Sequence, residues 1–174
     1  MSSEKSQQMF AIRLSFVFGL MMLGIKWYAY FITGSTAILS DAAESIIHII
    51  GVGFAVFSVW YSFQPADENH TYGHSKISYF SAGFEGALII LAALFILYVS
   101  AERLLNGIEI SNLDQGTFFT LAASVLNLFL GLFLVKKGKK SNSIILIANG
   151  KHVLTDSWTS FGVVGGLLLT WLTG

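Results

Sequence analysis

The stretch AILSDAAESIIHIIGVGFAVFSVWYS, residues 37–62, decides the fold. It is long and mostly apolar, yet it carries Asp41, Glu44 and His48. A helix needs ~20 mostly apolar residues to cross a bilayer, and this run has them. Ionisable groups inside such a run are costly, by ~2.5–3.5 kcal/mol each on insertion scales, so they face a bundle interior or a water-filled cavity. The spacing i, i+3, i+7 puts all three on one stripe of a helix. One stripe of this kind has to be matched by a partner elsewhere in the chain.

The match lies in NGKHVLTDSW, residues 149–158, where His152 and Asp156 are separated by the same four positions as Glu44 and His48. Around these two segments the chain reads as an all-α, polytopic transmembrane helical bundle. Its 174 residues are 54% hydrophobic and 11% charged, with mean hydropathy +0.68. A soluble domain of this size carries more charge, and the apolar content runs far beyond a cleavable leader. Five spans are predicted, about 10–32, 37–62, 77–104, 116–135 and 143–172, preceded by a short polar tail, MSSEKSQQM. The runs are too long for barrel strands and do not alternate.

The connections differ. TGST reads as a tight turn, FQPADENHTYGHSK as a longer polar loop with the only proline, LLNGIEISNLDQG as a polar turn region, and KKGKKSNS as a basic loop. Lys5, Arg13, Lys76, Lys136, Lys137, Lys139 and Lys140 fall on one side of this topology, and Arg103 on the other. The excess of lysine and arginine marks the cytoplasmic side, so the N-terminus is expected inside and Gly174 outside. The run LLLTWLTG stops there, and a sixth helix is expected beyond this chain.

Glu44 lies about eight residues into its span from the outer end, or ~12 Å, and His152 about nine from the inner end, or ~14 Å, at the helical rise. The hydrocarbon core is ~30 Å thick, so the two pairs approach the midplane from opposite sides. Two imidazoles and two carboxylates suit a tetrahedral divalent cation such as zinc. With no cysteine present, thiolate sites and disulfides are excluded. Each residue taken singly also suits a helix–helix hydrogen bond. Asp67, His70 and His74 have a spacing compatible with a second metal site at the membrane surface. Lys26 and Glu85 read as a structural charge pair, with Lys26 balancing the negative charge of the site as the alternative, Asn127 as an interhelical hydrogen bond, and GVVGG at 162–166 as a close-packed helix face. Asp41 reads as a helix-positioning residue or part of an outer entry path. Zero net charge gives no support for nucleic-acid binding.

Taken together, GSTAILSDAAES, PADENHTYGHSK and HVLTD with WTS, in this order, resemble the cation diffusion facilitator family of divalent-metal transporters. The resemblance covers about residue 10 to the end. It implies a six-helix membrane domain, a homodimer, and a cytoplasmic C-terminal domain not contained in this chain. It implies efflux of zinc, or of manganese, iron, cobalt or cadmium, in exchange for protons, across the cell (inner) membrane. The transport site falls by position on Glu44, His48, His152 and Asp156, and a loop site found in some relatives on Asp67, His70 and His74. Relatives often place Asp or His at the position of Glu44 and Asp at that of His48, so the Glu–His pair departs from the common pattern and the resemblance does not fix the preferred ion. Two other classes compete. An intramembrane metal-dependent hydrolase would need an open coordination position and a base, and no HExxH helix is present. A non-transporting metal-binding subunit or fragment is the other.

Overall fold

The computed structural model describes residues 2–33, 36–106 and 113–173, and side chains at the helix ends near these breaks lie outside the described set. Five helices follow in order: α1 Ser2–Thr33, α2 Thr36–Ser62, α3 Ile77–Asn106, α4 Leu113–Lys140 and α5 Ile144–Thr173. No strand occurs among the described residues. Each of α1 to α4 contains a stretch long and apolar enough to cross a membrane. The molecule is an all-α membrane helical bundle. In α5 most of the apolar run beyond residue 162 has side chains outside the described set. The same holds for Asp41 and Arg103.

Burial runs opposite to that of a soluble protein. Large apolar side chains such as Phe31, Phe80, Leu97 and Phe129 are exposed, facing the region lipid would fill. The buried set is rich in small polar groups, among them Ser15, Ser58, Ser124, Asn149 and Ser157. In lipid there is no hydrophobic drive between helices, so close packing and hydrogen bonds hold the bundle. An apolar cluster of Ile12, Val52, Val59, Leu134, Leu146 and Val153 fills the centre on the loop side.

The helices pair as two hairpins, α1 on α2 and α4 on α5, with α3 against α2 and α5. Glycines set the α4–α5 distance. A Cβ on Gly138 would meet Ile147 N at 2.9 Å, and one on Gly150 would meet Val135 N at 2.8 Å. Gly131 lies against Gly150 O and the Leu154 side chain in the same way. At GVVGG a Cβ on Gly162 or Gly165 would meet nothing within 4 Å among the described residues, and Gly166 lies outside them. Small residues in a sequence permit close approach; which of them is used depends on where the helices cross.

Two boundaries differ from the sequence reading. The polar start is helical from Ser2, because it has a neighbour to hold it. Gln8 Nε2 donates to Ser141 O at 3.1 Å, and the Lys5 ammonium lies 5.9 Å from the Phe63 ring centroid. The basic run also stays helical to Lys140, where cations complement the C-terminal end of the helix dipole. The turn after it is short. Asn142 takes φ 48°, and Ser143 N–H bonds the Gly138 carbonyl at 2.9 Å. A left-handed residue followed by this closure is a common helix stop. The same contacts gather the start of α1, the end of α2 and the α4–α5 turn at one end of the bundle, the end that carries most of the lysines.

Candidate metal centre

His48 is placed by α2, and His152 and Asp156 by α5. One donor atom from each falls within 4.8 Å of the other two. His48 Nδ1 lies 3.6 Å from Asp156 Oδ2, and His152 Nε2 lies 3.8 Å from Asp156 Oδ1. The two rings meet edge to face with centroids 4.9 Å apart. These separations exceed a hydrogen bond. Two ligands about 2.0–2.1 Å from a tetrahedral ion are separated by roughly 3.4 Å, close to what is seen. His48 Nδ1 is buried and makes no hydrogen bond among the described residues.

The cluster opens onto a cavity of about 50 Å³, room for a few water molecules. Its lining includes Gly19, Met22 and Lys26 of α1, Glu44, Ser45 and His48 of α2, Asn127 of α4, and His152, Asp156 and Thr159 of α5. Glu44 therefore shares the chamber with the other three expected donors but stands outside their 4.8 Å cluster. Gly19 makes room for the His48 turn of α2: a Cβ there would lie 2.8 Å from Ile49 Cδ1 and 3.6 Å from His48 Cδ2. Asn127, expected as an interhelical hydrogen bond, lines the chamber instead.

The expected Lys26–Glu85 pair does not form. Lys26 Nζ donates to Ser45 Oγ at 2.8 Å. The Glu85 carboxylate is turned to α5, where Oε2 lies 2.9 Å from His152 Nδ1 and Oε1 accepts from Asn149 Nδ2 at 3.1 Å. Each is the one charged residue in the apolar stretch of its helix, 14–33 for Lys26 and 77–101 for Glu85, so the sequence offered pairing as the simplest account. Which helix each one faces depends on the packing. Asn149 and Ser15, joined by a 2.8 Å hydrogen bond, were not singled out from the sequence; a polar residue one turn before His152 was the available signal.

The loop triad also assembles. Asp67 Oδ1 lies 2.9 Å from His70 Nδ1, and Asp67 Oδ2 lies 3.3 Å from His74 Nε2. The donor atoms again fall within 4.8 Å of one another. Pro65 follows the end of α2 and cannot continue its hydrogen-bonding, and Gly73 at φ 77° turns the chain back toward α3. Asp67 Oδ1 accepts from the Asn69 and His70 backbone N–H groups at 3.0 and 2.7 Å. Partial desolvation pushes the Asp67 carboxyl up, but the hydrogen bonds from the His70 ring and backbone, with that of Asn69, hold it below the usual value. His74 is buried, its ring edge-on to Tyr61 at 4.3 Å between centroids.

A helical membrane bundle enclosing a chamber lined by imidazoles and carboxylates is the class that fold and site define. More particularly, the chain belongs to the cation efflux family, whose transmembrane domain matches residues 12–174. It is 42% identical over 161 residues to an uncharacterized transporter of Synechocystis sp., covering 92% of this chain and 52% of that protein. It is 29% identical over 160 residues to the cation-efflux pump FieF of Shewanella oneidensis, covering 92% of this chain and 54% of the pump. To the FieF pump of Klebsiella pneumoniae it is 31% identical over 150 residues, covering 86% and 50%. The chain thus spans about half the length of the curated relatives it matches.

Proposed function

We propose that this chain is the membrane part of a divalent-cation efflux transporter, with Glu44, His48, His152 and Asp156 as its transport site. One observation carries the reading: donor atoms of His48, His152 and Asp156, from two helices, fall within 4.8 Å of one another at the edge of a polar chamber. Relatives named as cation-efflux pumps support the direction of transport. The mixed nitrogen and oxygen donors favour zinc, with manganese, iron, cobalt or cadmium as competitors.

Charge supports a divalent cargo. Glu44 and Asp156 are carboxylates lining the chamber, Glu85 is a third bonded to its His152, and Lys26 is one ammonium. In their ionised forms they leave a deficit of two, which one divalent ion meets. An empty chamber with that deficit is unfavourable in a low dielectric, and protons on carboxylate or imidazole relieve it. Proton exchange follows from these ligand types, because metal binding requires their deprotonated forms. The lysine-rich end is the cytoplasmic one in this reading, in the cell (inner) membrane, and the working unit is a homodimer. The loop triad Asp67, His70 and His74 is a second cation site on that face.

The test is zinc movement into proteoliposomes holding the purified chain, with and without a proton gradient. Flux that responds to the gradient supports the antiporter. Because the chain spans only about half of its relatives, a metal-binding subunit that does not transport is the second reading. Zinc binding without flux would favour it.

A further inference from the structure

Glu85 is 1% exposed on α3, outside the four-donor set, yet it is hydrogen-bonded to one of those donors. A network converges on it from two other helices. Ser15 Oγ donates to Asn149 Oδ1 at 2.8 Å, Asn149 Nδ2 donates to Glu85 Oε1 at 3.1 Å, and His152 Nδ1 lies 2.9 Å from Glu85 Oε2. On the opposite side Gly51 of α2 packs beside the carboxylate: a Cβ there would lie 3.8 Å from Oε2, ordinary contact, and 2.7 Å from Leu88 Cδ1.

We infer that Glu85 is a positioning residue for cation binding, fixing the ring orientation and tautomer of His152; the inference rests on the transport reading above. An ionised carboxylate has acceptors only. Facing the ionised form of Glu85 at 2.9 Å, a neutral His152 would carry its proton on Nδ1 and turn a lone pair on Nε2 toward the chamber. With the other tautomer, Nε2–H would donate to Asp156 and tie two ligands to each other instead of to an ion. The 3.8 Å gap between Nε2 and Asp156 Oδ1 is longer than a hydrogen bond, so the two ligands are not tied to each other here. Carboxylate partners of this kind on metal-binding histidines typically contribute 10–100-fold in affinity.

The test uses the whole chain in detergent, with zinc alone as probe. Nitrogen-15 spectra of histidine-labelled protein resolve the rings, since the chain has four histidines, and a His152→Gln variant assigns the one of interest. In the metal-free protein His152 is expected to be protonated on Nδ1. Glu85→Ala is expected to release that preference and weaken zinc binding 10–100-fold. Glu85→Gln, which keeps the volume and guards against misfolding, is expected to weaken it about tenfold, with transport showing a raised KM more than a lowered maximal rate. A wild-type ring protonated on Nε2, or zinc affinity in folded Glu85→Gln within twofold of wild type, overturns the inference. Loss of the transport reading has a different signature, absence of zinc flux, and leaves the tautomer measurement standing by itself.

Discussion

Gly150 of α5 and Val135 of α4 touch through their backbones: a single added carbon on Gly150 would sit 2.8 Å from Val135 N. That contact cannot be relieved by rotating a side chain. Gly150→Ala should therefore push the α4–α5 hairpin apart and cost about 1–3 kcal/mol, the usual range for overpacking. Gly162→Ala meets open space and should be neutral or slightly stabilising through helix propensity, by up to ~1 kcal/mol. Thermal aggregation midpoints of the two variants in detergent compare them directly.

Asp156 reaches toward both imidazoles, 3.6 Å from His48 Nδ1 and 3.8 Å from His152 Nε2. Asp156→Ala is expected to reduce zinc flux by more than about a hundredfold, beyond the 10–100-fold seen when only a ligand's partner is lost. Insertion and gel-filtration behaviour should stay as in the parent. Flux at the parental rate would remove Asp156 from the site.

His48→Asp replaces a nitrogen donor with oxygen. Carboxylates suit manganese and imidazoles suit zinc, so the ratio of zinc to manganese affinity should fall, by about tenfold. Competition binding between the two ions reads this out, and an unchanged ratio would separate His48 from ion choice.

The loop triad lies outside the membrane-spanning helices, so its loss should alter loading rather than passage. His70→Ala is expected to shift the concentration dependence of transport several-fold to higher zinc while leaving the maximal rate nearly unchanged. Initial rates across a zinc series give both numbers. An identical half-saturation point would argue against a metal role there.

Asp67 also gives the loop a pH dependence. Its carboxyl is held below its ordinary value by the His70 and Asn69 hydrogen bonds. The contribution is therefore complete above the usual carboxylate range, near pH 3.9, and is lost as pH falls through the lowered value. The protection factor of the His70 amide, whose N–H bonds Asp67 Oδ1 at 2.7 Å, should hold down to about pH 4 and fall only below it. In an Asp67→Asn variant that protection should be weaker and flat with pH.

Much of this was readable in the chain before any coordinates. The five apolar runs became the five helices, because length and composition suffice to mark a helix meant for lipid. His48, His152 and Asp156 were legible because i, i+4 spacing repeats on two helices and ionisable groups there are expensive. Glu85 was visible as an anomaly but not as a partner of His152, since nothing local to α3 says which neighbour it faces. The helical start at Ser2 and the extension to Lys140 were missed for a related reason. Polar residues look like loop until a contact such as Gln8 with Ser141 holds them. Gly131, Gly138 and Gly150 were not singled out because crossing points belong to pairs of helices and leave no trace in either one alone.

The glycine seam has a further consequence. Welded along Gly131, Gly138 and Gly150, the hairpin of α4 and α5 behaves as one stiff lever, and His152 and Asp156 ride on it together. Glu44 and His48 ride on the other lever, α1 with α2. Sliding of one hairpin past the other would separate the four proposed donors two and two, so a captured ion would act as the rivet that locks them in register.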